Sequence, residues 1–353
     1  MRALWSYLLI ALTLIAPCAG ASEPIEIRAT VQVPVTEPFL GASVARFKEE
    51  VEKETGNAII LEIFDSGKLY IDDQIVGAVR SGAVEMGVAG LNQINRLVPA
   101  AGFMEQPFLF NFEGLVRAAT RPDSELRKLI DDAILKTIGL RVLWWQTIGP
   151  QVIFTKDGDA KDPRRINEKK IRAFSETTAN FAKHCGGVPI IVSTSEIQQA
   201  LGGRLDMAMI SAGGVQTRDL WKVTNAIART DHTAVEFLVV INENTWQSLS
   251  DKHKGILTEA ARRAERDVRE RSSALEVAAY DFARSKGMKI YELSPNEVAE
   301  WRACSSDVLV DYMSKGGELA QLLMNAYGKL RTDPCCSAGP QGDAKGLGKP
   351  QVP

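Results

Sequence analysis

From Asp251 to Lys286 the chain reads as one continuous helix, and no other stretch limits the possible folds so strongly. Ile256, Ala260, Ala264, Val268, Ala274, Ala278 and Phe282 mark a largely apolar stripe along it. With about 36 residues rising about 1.5 Å each, the segment extends about 54 Å, longer than one small domain is wide. It is therefore expected to brace two domains.

The rest of the chain supplies two similar halves. Gly82-Ala-Val-Glu-Met-Gly-Val88 and Gly203-Arg-Leu-Asp-Met-Ala-Met209 repeat one pattern of glycine, aliphatic residue, acid, Met and small or apolar residues. Each follows an amphipathic run, Ile71 to Ser81 or Ser195 to Gly202, and each reads as helix, tight turn, strand. Upstream of the first copy lie a strand within Ser22 to Gln32, a helix from Phe39 to Thr55 and a strand from Ala58 to Phe64, which is βαβ writing. Downstream come an apolar loop from Pro99 to Phe112, helices from Glu113 to Ala119 and Asp123 to Thr137, and a strand from Leu140 to Gln146. Trp144 and Trp145 fall on opposite faces of that strand. The second half begins with strands Val152 to Thr155 and Ile171 to Phe174, then a helix from Ala179 to Cys185. Ala234 to Ile241 reads as a strand returning to the first domain, and Met288 to Tyr291 as another. Helices from Pro295 to Met313 and Glu318 to Tyr327 close the fold.

Arg172 stands inside the apolar strand Ile171 to Phe174, and Ser175, Glu176, Thr177 and Thr178 follow it. In open α/β sheets ligands sit beyond the carboxyl ends of strands, and a planar guanidinium pairs a carboxylate bidentately. The competing assignment is an edge-strand arginine in a surface ion pair. His184, His232 and His253 lie far apart with no metal-ligand spacing, and no nucleophile elbow, P-loop or dinucleotide fingerprint occurs. No catalytic residue, metal or cofactor is assigned on that basis. The acids of the long helix interleave with Arg262, Arg263, Arg266 and Arg269 as a solvated face.

Met1 to Ala21 carries one positive residue, an apolar core from Leu8 to Ala16 and a small-residue exit, the pattern of a cleaved secretory signal peptide. Cys18 would suit a lipid anchor, but Pro17 stands where a small residue should precede a lipidated cysteine. We therefore expect a periplasmic, soluble monomer starting near Ser22, without membrane insertion. A formal net charge of -2 gives no basis for nucleic-acid binding. Cys185, Cys304, Cys335 and Cys336 would remain after cleavage, and four cysteines allow three connectivities. The vicinal pair bridges itself poorly, which points to a bridge from the tail to Cys304.

These pieces resemble the solute receptors of tripartite ATP-independent periplasmic (TRAP) transporters, of the DctP type, from about Ile25 to Tyr327. The resemblance rests on Gly82-Ala-Val-Glu-Met86, Gln106-Pro-Phe-Leu-Phe110, Lys170-Ile-Arg172, Ser195-Glu-Ile-Gln-Gln-Ala-Leu201 and Gly203-Arg-Leu-Asp206. Asn242-Glu-Asn-Thr-Trp246, Leu249-Ser250 and Ala260-Ala261 add to it. It implies an α/β, two-domain periplasmic-binding-protein clamshell with hinge strands near Gln146 to Gly149 and Thr233 to Glu236. The corresponding division is 22–148 plus 236–270 for one domain and 149–235 plus 271–330 for the other, with 1–21 a signal peptide and 331–353 a disordered tail. It further implies that Arg172 holds a carboxylate of a small organic acid, which the receptor hands to TRAP-type membrane permease subunits. Gln151 stands where many members carry a second arginine, and Met207-Ala-Met-Ile-Ser211 replaces a more polar segment. With Trp145 and Trp221 counted as walls, the expected pocket comprises Arg172, Gln151, Trp145, Phe174, Met209, Ser211 and Trp221. An aromatic or branched monocarboxylate is the expected ligand. A sensory receptor on the same fold is the alternative, and a periplasmic enzyme the least supported one.

Overall fold

The computed structural model describes residues 23–333. The proposed signal peptide, Cys18, Cys335 and Cys336 lie outside these residues, as does nearly all of the expected tail. The strands are β1 (Ile25–Thr30), β2 (Ile59–Phe64), β3 (Met86–Gly90), β4 (Leu140–Thr155), β5 (Lys170–Ala173), β6 (Val188–Ile191), β7 (Met207–Ser211), β8 (Ala226–Arg229), β9 (Ala234–Asn242) and β10 (Lys289–Glu292). One sheet runs β2-β1-β3-β9-β4, and the other β6-β5-β7-β4-β8-β10. In each, a parallel trio is flanked by an antiparallel strand, β9 against β3 and β4 against β7.

The repeated motif occupies equivalent places in the two sheets. Helix Ile75–Ser81 leads to β3, and helix Ile197–Gly202 leads to β7. The acid before each strand ties down the neighbouring parallel strand: Glu85 accepts the Arg28 amide at 2.8 Å, and Asp206 accepts the Lys170 amide at 2.8 Å. The turns differ, because Gly82 is left-handed at φ 74° while Gly203 lies at φ -135°. Only the first copy needs its glycine for backbone reasons.

Strand β4 corrects the sequence reading, which split it into Leu140 to Gln146 and Val152 to Thr155. It is one 16-residue strand, pairing β9 from Leu140 to Pro150 and both β7 and β8 at its far end. Ile148-Gly-Pro-Gln151 has the composition of a turn, yet the chain passes through it with a register shift between Thr147 and Gly149. Gly149 takes φ 114° there and absorbs the irregularity, as a bulge residue does. β6 and β8, four residues each, carried too little periodicity to be read from the sequence.

Helices cover both faces of both sheets, so apolar side chains on either face of a strand are buried. Trp144 packs with Phe47, ring centroids 4.8 Å apart, beneath helix Leu40–Thr55 and the long helix. Trp145 points to the other face and donates from Nε1 to Asp131 Oδ1 at 2.8 Å. The long helix spans Asp251–Ser285, 35 residues, with Ser250 as its N-cap. Leu257, Ala260, Ala261 and Ala264 join the core of the first sheet, whereas Ala279, Tyr280 and Ala283 join that of the second. Its Glu265 is buried and pairs at 2.6 Å with Arg127, which also donates to the Thr120 carbonyl at 2.9 Å. No helix of the described residues is long and apolar enough to cross a membrane.

Two further expectations need correction. Helix Gly317–Thr332, expected with the second domain, packs Leu323, Ala326 and Tyr327 into the first-sheet core beside Phe103 and Phe110. Cys304 bonds to Cys185, not to the tail, joining the end of helix Glu176–His184 to helix Pro295–Lys315 across 119 residues of sequence. Phe181, stacked on Trp301 at 5.5 Å beside the bridge, brings the two helices together. Cys304→Ser is expected to cost about 2 to 4 kcal/mol, the usual worth of closing a long loop. A denaturant titration of the variant checks this, with a midpoint equal to wild type as the contrary result.

Candidate functional site

A cleft of roughly 840 Å³, open solvent included, lies where β4, β5, β7 and β9 meet residues of the first half. Arg172 forms its base. The residue is 2% exposed, and strand β5 is central enough that its side chain reaches three acceptors. Nε donates to the Val192 carbonyl at 3.0 Å, one terminal nitrogen to the Met209 carbonyl at 2.8 Å and the other to Thr194 Oγ1 at 3.0 Å. No described carboxylate forms an ion pair with it, which excludes the surface-pair alternative. Five N–H groups less these three leave one on each terminal nitrogen, an end-on fork matching a carboxylate. Burial lowers its pKa to about 10, with Asp72 acting in the opposite sense, so it remains cationic at neutral pH.

Of the residues expected from sequence, Arg172, Gln151, Phe174 and Ser211 line the cleft. Gln151 of β4 lies opposite Ser211 of β7 in register, its backbone N–H donating to the Thr233 carbonyl at 2.8 Å and its side-chain oxygen buried without a partner. Phe174 packs under the guanidinium, 5.4 Å from ring centroid to Cζ. Three expectations fail on the alternation of strand faces or on local packing. Trp145 is in the first-sheet core, the Met209 side chain is in the core with Phe181 and Trp301, and Trp221 lies under the Lys222 and Lys286 ammonium groups. Met209 contributes through its carbonyl alone. The apolar walls come instead from Phe39, Leu40, Ile148, Ile210 and Phe237.

Polar residues that sequence reasoning missed complete the cleft. Asp72, 8% exposed, opens a short 3-10 turn before helix Ile75–Ser81, and its Oδ1 has no hydrogen-bond partner. Burial raises its pKa, opposed by the charges of Arg172 and Arg218. Arg218 ends the short helix Gly214–Thr217, and its guanidinium makes no hydrogen bond or ion pair with any described residue. Asn92 donates across the cleft to the Phe174 carbonyl at 3.1 Å. Glu105 and Glu236 are fully buried carboxyls, raised by burial to about 7 and about 8. None of these residues sits in a pattern marked by periodicity, and the only signal was polar character inside otherwise apolar stretches. His232 is structural: it stacks on Phe181 at 4.5 Å and meets Thr230 Oγ1 at 2.7 Å, with burial lowering its pKa to about 3.

Against known proteins, the family model described as bacterial extracellular solute-binding protein, family 7 (DctP), matches residues 31–315. The C4-dicarboxylate-binding protein DctB of Bacillus subtilis (strain 168) is 24% identical over 264 residues, 74% of this chain and 75% of the relative. Among solved structures, a TRAP periplasmic solute binding protein from Chromohalobacter salexigens with bound D-glucuronate superposes with TM-score 0.80 at 20% identity. The match covers 86% of this chain and 99% of that one. DctP7, a Bordetella pertussis extracytoplasmic solute receptor binding pyroglutamic acid, gives 0.79 at 21% identity with the same coverage. At these identities the likeness to the solved structures establishes the fold.

A carboxyl whose folded pKa is raised above its unfolded value stabilises the fold fully below the unfolded value and loses that contribution as pH climbs through the folded one. Glu236 rises from 4.5 to about 8. The ligand-free protein is therefore expected to melt at progressively lower temperature from about pH 4.5 to about 8, with no further loss from this group above that. Glu236→Gln should flatten that slope. Thermal melts of both proteins across this range check it, and parallel slopes would exclude Glu236 as the source.

Proposed function

Because the chain belongs to the bacterial extracellular solute-binding proteins of family 7, we propose that it captures a small organic acid in the periplasm and delivers it to a TRAP-type membrane permease. It is a receptor and not an enzyme. The observation that carries the ligand assignment is Arg172: a buried guanidinium without a protein carboxylate, oriented by three acceptors and keeping two N–H groups for a guest. Phe39, Phe174 and Phe237 around it suit an aromatic or branched carbon skeleton, so the ligand is an aromatic or branched monocarboxylate. These apolar residues differ from the tryptophans that led to the expectation.

The moving units in this reading are 22–148 with 236–270 and 149–235 with 271–316, helix Gly317–Thr332 going with the first. They close about Gln146–Gly149 and Thr233–Glu236. The register shift at Thr147/Gly149 supports a bend there, and the unpartnered Gln151 oxygen next to it faces the guest. Small-angle scattering with saturating acid is expected to give a smaller radius of gyration than the free protein. An unchanged radius would argue against closure.

Removing one partner of a buried ion pair costs about 3 to 5 kcal/mol. Arg172→Ala should accordingly weaken binding about a hundred- to several-thousand-fold. Arg172→Lys keeps the charge without the fork and should fall short of wild type. Gln151→Ala should cost less, about 0.5 to 1.5 kcal/mol, the worth of a neutral hydrogen bond. Calorimetric titration of a panel of aromatic and branched acids ranks the three, and an unchanged dissociation constant in Arg172→Ala would refute the assignment.

A further inference from the structure

Asp72 and Arg218 face the cleft from opposite halves of the molecule, beside Arg172. Each is incomplete. The Asp72 carboxylate is 8% exposed with Oδ1 unpartnered, and the Arg218 guanidinium, half-buried, donates to no described group. Each lies within reach of the other's charge, yet no ion pair closes the gap between them. A buried acceptor without a partner and a neighbouring donor set with no protein partner call for a guest group that meets both, since the Asp72 oxygen left unpaired carries its desolvation cost.

Three common substituents on an organic acid can be compared. A keto oxygen accepts from Arg218 and leaves Asp72 unpaired. An ammonium donates to Asp72 and is repelled by Arg218. A hydroxyl does both, donating its proton to Asp72 and accepting from the guanidinium. We propose that Asp72 and Arg218 form a hydroxyl-reading pair, so that this receptor prefers 2-hydroxy acids over the keto, amino and unsubstituted acids of the same skeleton. The proposal rests on the reading that Arg172 holds the carboxylate, because Asp72 and Arg218 line the same cleft as that anchor and so meet the part of the guest that adjoins it.

The test is calorimetric titration of the full chain with 3-phenyllactate, phenylpyruvate, phenylalanine and 3-phenylpropionate. A branched pair, 2-hydroxy-4-methylpentanoate and 4-methylpentanoate, is titrated beside them. With hydrogen bonds to charged groups, the hydroxy acid is expected to bind about ten- to a hundred-fold tighter than its unsubstituted partner. In Asp72→Asn and Arg218→Met, shown folded by thermal melts, that ratio should shrink about tenfold, over and above any change in affinity common to all the acids. Equal affinities of hydroxy and unsubstituted acids in wild type would overturn the proposal, as would binding of neither series. A uniform loss for all acids in Asp72→Asn would also overturn it, since Asp72 would then be only a counter-ion to the arginines. If the hydroxyl preference is absent while Arg172→Ala still abolishes binding, only this inference falls. An unchanged dissociation constant in Arg172→Ala removes the reading beneath it.

Discussion

Strand β4 belongs to both sheets, and that sharing fixes where the two halves can meet. Its first part pairs β9 within the first sheet, and its last five residues pair β7 in the second. Two bodies joined through one continuous strand cannot slide past each other without breaking ladder hydrogen bonds. The ladder is interrupted at Val142/Trp144 and again at Thr147/Gly149, the second lying next to the crossing into the other sheet. The cleft opens at that interruption, so Ile148 and Gln151 on β4 and Val235 to Phe237 on β9 line it. On the other side the long helix contributes to the cores of both sheets, and the buried Arg127–Glu265 pair ties it to helix Glu125–Ile138. Removing either partner of that pair would strand a buried charge, which makes the helix a firm backing for any bending in front of it.

The same topology explains why the anchor is an arginine. Strand β5 lies between β6 and β7, and a side chain leaving Arg172 meets the carbonyls of Val192 and Met209 as the chain departs from β6 and runs along β7. A lysine ammonium there could not engage these acceptors and Thr194 together while presenting a flat face to the guest. The guanidinium has donors enough for both tasks in a fixed plane. Its orientation is thus set by backbone atoms, the least mobile acceptors available, before any acid arrives, which spares binding part of the usual ordering cost.

Much of this was legible in the sequence, for reasons that differ by residue. The long helix, the repeated helix-turn-strand units and the strand carrying Arg172 follow from periodicity and glycine placement, and the structure has them within a few residues. Arg172 stood out because a charge within an apolar strand has few explanations. Trp145 and Trp221 were misassigned because aromatic type says nothing about which face is covered: helices lie on both sides of the first sheet, so both Trp144 and Trp145 are core. Asp72 and Arg218 were missed because they stand at the edges of short helices, where a polar residue is ordinarily solvent-facing, and only the meeting of the two halves buries them. The Cys185–Cys304 bond could not be chosen over its alternatives without knowing that Phe181 stacks on Trp301.

A census of charges along the cleft would mislead. Four carboxyl residues, Glu37, Asp72, Glu105 and Glu236, outnumber the two arginines and suggest a cationic guest. Their states reverse that conclusion. Glu236 and Glu105, raised to about 8 and about 7, carry their protons largely or in part at neutral pH. Glu37 accepts the Leu40 amide at 2.7 Å and the Gly41 amide at 3.3 Å, so its charge is met by the start of helix Leu40–Thr55. What remains facing the guest is Arg172 and Arg218 against Asp72, a local excess of positive charge in a largely desolvated space. The space around them therefore holds two guanidinium groups, one with an open fork and one with no partner among the described residues. Burial, by keeping protons on Glu236 and in part on Glu105, leaves the cleft less negative than a count of its carboxyls implies.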